Sequence, residues 1–349
     1  MSDFHALVLS KIKRETPNAV VLSFELPESL KSAFNFLPGQ YITIKHEHNG
    51  NEIRRAYSLC STPTSGLLQV GVKKVDGGSF SVFANETLRA GAQLEIMAPQ
   101  GKFTVKTNTK NTVNYAAFAA GSGITPILSI IQSVLEEEPK STFLLVYGNK
   151  TQEETMFFEY FEELKAQFPD RLHLEYVFSR ENKEGAQFGR IEQSTVNFML
   201  KNKYKDTAFD AFYLCGPESM IDIVTSTLKD KGVNEKQIHF ELFTTSEEGL
   251  LVAPHDGDTS VTLTLDDETT SFTMPQAKSV LQAALDAGLD APFSCQGGIC
   301  STCIARVVEG KVEMRKNQIL TDGELADGLV LTCQSHPTTP TLVIDYDDV

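Results

Sequence analysis

Four of the six cysteines stand in a pattern suited to chemistry: Cys295, Cys300 and Cys303, spaced Cys-x4-Cys-x2-Cys, with Cys333 downstream. Thiolates are strong metal ligands, and four of them converging on one small volume can hold two irons and two bridging sulfides. Gln296-Gly297-Gly298 supplies the backbone freedom to wrap such a cluster and to aim amides at its sulfurs. Zinc sites usually pair one Cys-x2-Cys with a second, and only one short pair exists here. A zinc knot and a set of buried free thiols are the alternatives. Cys60 and Cys215 stand alone.

A second constellation is Arg55-Ala56-Tyr57-Ser58. A flavin needs an aromatic face to stack on, a hydroxyl near its reactive nitrogen and a cation for its phosphates, and these residue types supply all three. The stretch is expected between two strands. Downstream, Gly77-Gly78-Ser79-Phe80-Ser81 opens an expected helix, whose first amides make an anion site for a pyrophosphate. Taken singly, a strand tyrosine is more often packing and Gly-Gly more often a turn.

A third is Gly121-Ser122-Gly123-Ile124-Thr125-Pro126, set between an apolar run and a helical pattern. Strand, glycine turn and helix start together bind nucleotide phosphates at a sheet's carboxyl edge, although the full Gly-x-Gly-x-x-Gly fingerprint is absent. Phe178-Ser179-Arg180 ends another strand, where a hydroxyl and a guanidinium suit the 2′-phosphate of NADPH; Lys150 stands nearby in sequence. NADH is the alternative donor. Cys215-Gly216-Pro217 closes a further apolar run; by itself Cys215 reads as a small buried apolar residue.

Residues 1–245 resemble the ferredoxin–NADP reductase family through Arg-x-Tyr-Ser (55–58), Gly-x-x-Ser (78–81), Gly-x-Gly-x-Thr-Pro (121–126) and Cys-Gly-Pro (215–217). The resemblance implies FAD, with FMN as the variant some relatives use. It implies that Tyr57 and Ser58 contact the isoalloxazine and that Arg55, Gly78 and Ser81 hold the flavin phosphates. Gly121, Gly123 and Thr125 would cradle the pyridine nucleotide, Ser179 and Arg180 its 2′-phosphate, and Gly216 and Pro217 would lie with Cys215 beside the nicotinamide. Ser58 and Cys215 then stand at the reacting atoms. Phe243 reads as core packing or as a flavin neighbour. Residues from about Thr259 to Val349 resemble plant-type [2Fe–2S] ferredoxins, which implies Cys295, Cys300, Cys303 and Cys333 as the cluster ligands.

Reductase first and ferredoxin last resembles the reductase components of multicomponent bacterial oxygenases, over the whole chain and including Pro99–Phe103 and Cys215–Met220. This implies a path from NADPH to FAD to the cluster to an oxygenase component, of the di-iron kind. A Rieske-type or other hydroxylase is the alternative partner, and a redox-sensing binding protein the alternative function.

The elements that must position these residues follow from periodicity. Alternating stretches at Val20–Leu26, Tyr41–Lys45, Leu67–Lys73 and Leu94–Met97, punctuated by glycine and proline, predict a small antiparallel β-barrel over 1–107. Apolar runs at Tyr115–Ala120, Phe143–Tyr147, Leu174–Phe178, Phe212–Cys215 and Ile238–Phe243 alternate with helical patterns near Pro126–Glu137, Glu153–Phe168 and Glu218–Asp230. That alternation predicts an α/β nucleotide domain with a parallel sheet over 108–245. Residues 246–258 read as a linker. Beyond it a hairpin (Val261–Leu265, Ser271–Met274), a helix (Ser279–Ala287) and two strands (Ile304–Val308, Leu342–Asp345) predict an α+β, β-grasp-like ferredoxin domain over 259–349.

The chain of 349 residues carries a net charge of −15, which argues against general nucleic-acid binding. Residues 256–349 hold 15 acidic and 5 basic residues, so the last quarter carries most of the excess and suits docking on a basic partner. No apolar run approaches the roughly 18 residues of a membrane span, and Met1-Ser2-Asp3-Phe4-His5 lacks a signal-peptide profile, which predicts a cytoplasmic protein. In that compartment clustered cysteines favour metal or redox chemistry over disulfides. No Glu-x-x-His or Cys-x-His supplies an oxygenase centre, and His46-Glu47-His48 reads as a solvated polar loop.

Overall fold

The computed structural model describes residues 4–243 and 257–349, which form two compact units, the first built largely of residues 5–243 and the second of 257–349.

The first unit opens with strands β1 (Phe4–Thr16), β2 (Ala19–Glu25), β3 (Tyr41–His48), β4 (Asn51–Ser58), β5 (Leu68–Lys73) and β6 (Gln93–Gln100). They pair in the order β4-β3-β6-β1-β2-β5, with antiparallel registers. Leu59, just after β4, makes an antiparallel bridge to Val70 of β5, so the two edges of the sheet meet and the barrel closes. Leu7, Leu9, Leu22, Ile42, Ile44, Val70 and Ile96 fill its interior, and helix α1 (Ser79–Glu86) adds Phe80 and Ala84 to that core.

The strands correct two local expectations and add one element that the sequence pattern does not show. The longest of them, β1, is hidden in the sequence by the exposed Lys11 and Lys13 on either side of the half-buried Ile12. Arg55–Ser58 lies inside β4 and not between strands. His46 and His48 end β3 instead of forming a loop, and the His46 ring stacks on Phe83 at 4.2 Å between centroids.

The same unit continues into a parallel sheet of β7 (Asn114–Ala120), β8 (Thr142–Asn149), β9 (Leu172–Phe178), β10 (Gln187–Phe188), β11 (Ala211–Gly216) and β12 (Ile238–Leu242), ordered β10-β9-β8-β7-β11-β12. The order reverses between β7 and β11, the switch point where such sheets open a crevice at their carboxyl ends. Ala116, Ala117 and Ala119 of β7 are fully buried, and their small side chains let helices approach the central strand closely. Helix α2 (Ile124–Glu137) covers it with Ile124, Ile127, Ile131 and Val134 at helical spacing. Helix α3 (Phe158–Gln167) starts five residues later than the pattern suggests, after a turn ending in Phe157 at φ 61°. Helix α4 (Gln193–Phe198), continued by a π-turn, has no counterpart in the periodicity, whereas α5 (Glu218–Asp230) lies where its pattern puts it.

In the second unit β13 (Asp258–Leu265), β14 (Glu268–Pro275), β15 (Ile304–Glu309), β17 (Leu329–Leu331) and β19 (Thr341–Asp345) form a mixed sheet, ordered β14-β13-β19-β15-β17. The short strands β16 (Val312–Met314) and β18 (Ser335–Pro337) pair separately. Helix α6 (Val280–Asp286), capped by the Ser279 hydroxyl, packs Val280, Leu281 and Ala284 into the core with Val261, Leu263, Leu342 and Ile344, and α7 (Asp322–Ala326) precedes β17. This is the expected α+β arrangement of hairpin, helix and returning strands. Of the linker expected at 246–258, residues 246–256 lie outside the described residues and Asp258 already belongs to β13.

Candidate functional site

The barrel and the parallel sheet meet at Ser58. Its hydroxyl, at the end of β4, donates to the Glu241 carboxylate on β12 at 3.0 Å, and both residues are buried. Parallel register sets Glu241 directly beside Cys215 of β11. Burial first, and then the Glu241 charge, push the Cys215 thiol well up, so it stays neutral. Ser58 and Cys215, far apart in sequence, are thus gathered around one carboxylate. The neighbouring Tyr57 is half-buried and tilts against Phe80 at 5.5 Å, leaving part of its ring accessible.

The switch point is built from three glycines, two of which have little room for a side chain. Gly121 turns at φ 57°, and Tyr147 donates its hydroxyl to the Gly121 carbonyl at 3.0 Å. A Cβ on Gly123 would lie 2.2 Å from the Cys215 carbonyl oxygen, and one on Gly216 would lie 2.9 Å from Met220 and 3.1 Å from Ala120. The chain therefore passes from β7 into α2 in contact with the end of β11. Thr125 is buried and donates to the Ser122 carbonyl at 3.1 Å. Among the described residues no side chain caps the 3₁₀ turn Gly121–Gly123, which runs into α2, or α5 at Pro217, which leaves the first N–H groups of that turn and of α5 for an anion.

Ser179 and Arg180 follow β9, two strands from β7, or about 10 Å along the same edge. Backbone bonds Ser179 N–H to Asn149 O (3.0 Å) and Arg180 N–H to Lys150 O (2.9 Å) fix the turn, and the Arg180 side chain is exposed.

On the barrel, Gly78 precedes α1 with no side-chain cap among the described residues, again leaving helix amides for phosphate. A Cβ there would come within 2.4 Å of Ser81 Oγ. That hydroxyl accepts the Val75 N–H at 3.2 Å and keeps its own proton to donate. Arg55 is exposed on β4 and donates to the Arg54 carbonyl at 2.8 Å. Phosphate groups and an isoalloxazine fit these donors and the Tyr57 face.

In the second unit none of the four clustered cysteines is in a disulfide. They meet as two pairs: Cys295 shares a hydrogen bond with Cys300, and Cys303 with Cys333. In each pair the shared proton raises one thiol, Cys295 and Cys303, and lowers its neighbour, Cys300 to about 6 and Cys333 likewise downward. The Gly297 N–H points at Cys295 Sγ (3.3 Å), the Gly298 amide at Cys333, and the Thr302 amide and hydroxyl at Cys300. Gly298 adopts φ 72°, and a Cβ there would strike the Lys316 carbonyl at 2.7 Å. Among the described residues no three His, Cys, Asp or Glu side chains converge on one metal position. Thiols brought together from two segments, with backbone donors aimed at their sulfurs, fit a [2Fe–2S] group.

Sequence patterns miss three residues of the first unit. Glu241 sits in an ordinary apolar strand and is found only through Ser58. Lys73, at the end of β5, is half-buried, which lowers its pKa, and its Nζ lies 3.9 Å from where a Gly121 Cβ would stand. Phe188, on the edge strand β10, pairs in register with Phe178, the residue before Ser179, and exposes its ring.

Three protein-family models match in chain order: an oxidoreductase FAD-binding domain over residues 6–105, an oxidoreductase NAD-binding domain over 118–226 and a 2Fe-2S iron-sulfur cluster binding domain over 263–338. The chain is 38% identical to a subunit of the 1,2-phenylacetyl-CoA epoxidase from Escherichia coli (strain K12), over 99% of each chain. It is 31% identical to the ferredoxin reductase component of 3-ketosteroid-9-alpha-monooxygenase from Mycolicibacterium smegmatis, over 98% of this chain and 97% of the other. Its fold is similar to that of phthalate dioxygenase reductase, with a TM-score of 0.59, 22% identity and 98% coverage of both.

Proposed function

Since this chain belongs to the ferredoxin–NADP reductase family members that end in a plant-type [2Fe–2S] domain, the reductase components of oxygenases, we propose that its oxygenase is a di-iron phenylacetyl-CoA epoxidase of phenylacetate degradation. The class activity, electron transfer from a pyridine nucleotide through FAD and a [2Fe–2S] cluster, comes with the family. The finer assignment is supported by the full-length likeness to the Escherichia coli protein.

In this reading residues 1–107 hold FAD, 108–245 the nucleotide and 259–349 the cluster. Arg55, the α1 amides after Gly78 and the Ser81 proton neutralise the flavin phosphates, while Tyr57 covers one ring face. Gly121, Gly123 and Thr125 shape the turn that receives the nucleotide phosphates, and Gly216 and Pro217 bring the α5 amides to the same edge. Ser179 and Arg180 hold a 2′-phosphate, which makes NADPH the donor. Cys215, kept neutral, fills the space beside the nicotinamide without adding charge, and Ser58 holds the Glu241 carboxylate at the same place. Cys295 with Cys300, and Cys303 with Cys333, ligate the two irons. Bound FAD supplies the conversion of a two-electron donor to one-electron delivery.

The single observation that carries the catalytic assignment is the meeting of Ser58, Glu241 and Cys215 where barrel and sheet join. A cytoplasmic location is part of this reading. No helix among the described residues is long and apolar enough to cross a membrane. The test is reconstitution of the holoprotein with the oxygenase subunits of a phenylacetyl-CoA epoxidase. NADPH-dependent epoxide formation is expected. Turnover with a Rieske-type or steroid hydroxylase and none with the epoxidase would reassign the partner.

A further inference from the structure

The carbonyl of Cys303 receives two hydrogen bonds from one residue, the Thr332 N–H at 3.1 Å and the Thr332 hydroxyl at 2.9 Å. A carbonyl only accepts, so the Thr332 hydroxyl must donate its one proton there. That leaves only lone pairs for its other neighbour, the Tyr346 phenol at 2.8 Å, so Tyr346 must be the donor. The result is a one-way chain, Tyr346 O–H to Thr332 O–H to Cys303 O=C. All three residues are buried, and Thr332 has no exposure at all. Thr332 immediately precedes Cys333, and Cys303 is the thiol paired with Cys333. The chain therefore fastens together the two backbone segments that deliver one thiol pair.

Tyr346 is itself held. Its N–H donates to the Thr264 carbonyl at 3.0 Å. The following Asp347 carboxylate accepts the N–H groups of Asp266 and Asp267, and Asp348 pairs with Arg306 at 2.9 Å. A segment tied at three points presents the phenol in one position. The Cys295–Cys300 pair is approached differently: the Gly297 N–H points at Cys295 Sγ at 3.3 Å, and the Gln334 side chain donates to the Gln296 carbonyl at 2.9 Å.

We infer that Tyr346 is a positioning residue for the cluster: through Thr332 it sets the geometry and the electrostatic surroundings of the Cys303–Cys333 half. The inference rests on the assignment of these cysteines as ligands. Reduction adds negative charge to a cluster, and donors directed at a ligand residue's carbonyl stabilise that charge. Removing the phenolic proton lowers the midpoint potential and loosens the pair.

The experiment uses the full-length holoprotein. Wild type, Tyr346→Phe, Thr332→Val, Thr332→Ser and the Tyr346→Phe/Thr332→Val double variant are compared by redox titration, by EPR of the reduced cluster and by cluster bleaching under an iron chelator. Tyr346→Phe and Thr332→Val should both lower the potential, alter the EPR signal and speed bleaching by about 2- to 10-fold, the effect of one hydrogen bond. Thr332→Ser should restore wild-type values, and the double variant should match Thr332→Val alone, because the two groups act in series. Wild-type potential, spectrum and bleaching in Tyr346→Phe would overturn the inference, as would additive effects in the double variant. If Tyr346→Phe retains no cluster, the contrast of Thr332→Val with Thr332→Ser decides by the same readouts. A [2Fe–2S] spectrum that persists unchanged in Cys333→Ser would overturn the ligand assignment instead, so the two failures are distinct.

Discussion

Ser58 Oγ donates to Glu241 at 3.0 Å across 183 residues of sequence, and this buried bond ties the flavin-type barrel to the last strand of the nucleotide sheet. Burial makes the pairing consequential, since an ion-dipole bond in a dry junction is worth more than one in water.

Glu241→Gln preserves shape and removes the charge. The Gln carbonyl still accepts from Ser58, so only the difference between a charged and a neutral hydrogen bond is lost, about 1–1.5 kcal/mol, and flavin reduction by NADPH should slow by about 5- to 10-fold. Stopped-flow absorbance of the flavin measures this. A rate within about twofold of wild type would restrict the bond to a structural role.

Cys333→Ser should remove a cluster ligand while leaving flavin reduction by NADPH largely intact. Reduction of a one-electron protein acceptor should fall sharply. Acceptor reduction at the wild-type rate after cluster loss would contradict a linear path through the cluster.

Arg180→Ala should raise the KM for NADPH by about 10- to 150-fold and that for NADH far less, because only NADPH carries the phosphate such a guanidinium contacts. Steady-state kinetics with both nucleotides is the check, and equal effects would remove Arg180 from the phosphate site.

Gly123→Ala forces a methyl group to within 2.2 Å of the Cys215 carbonyl oxygen. Overpacking of this kind costs about 1–3 kcal/mol or more, and each kcal/mol lowers Tm by about 2–4 °C in a unit of about 150–250 residues. Calorimetry should show that loss together with weakened nucleotide binding. An unchanged Tm would mean that the turn between β7 and α2 gives way easily.

Salt should slow reduction of the cognate oxygenase more than it slows hydride transfer to the flavin, since residues 256–349 carry 15 acidic against 5 basic residues. Partner-reduction rates that stay flat across an ionic-strength series would leave those charges a solubility role.

What the sequence reveals and what it hides have a common physical origin. The turn at Gly121 and Gly123 and the spacing of Cys295, Cys300 and Cys303 show in the sequence because each is a local pattern, whereas Gly216 draws attention only through the family resemblance. Glu241 is silent because its meaning comes from Ser58 in another part of the fold. β1 is masked because its outward lysines obscure the inward Leu7 and Leu9. α4 is too short to show a period and runs into a π-turn. Thr332 and Tyr346 look like ordinary core residues until the direction of their hydrogen bonds is worked out.

The hairpin turn between β13 and β14 places Asp266 and Asp267 in the left-handed region, at φ 55° and 61°, where side-chain-bearing residues are disfavoured. It is held there by the Asp347 carboxylate, which grips both backbone amides at 2.9 and 2.8 Å. The segment after β19 is thus a structural clasp. Asp347→Ala would withdraw the acceptor from both amides at once, so the hairpin turn and the Tyr346 segment beside it would loosen together.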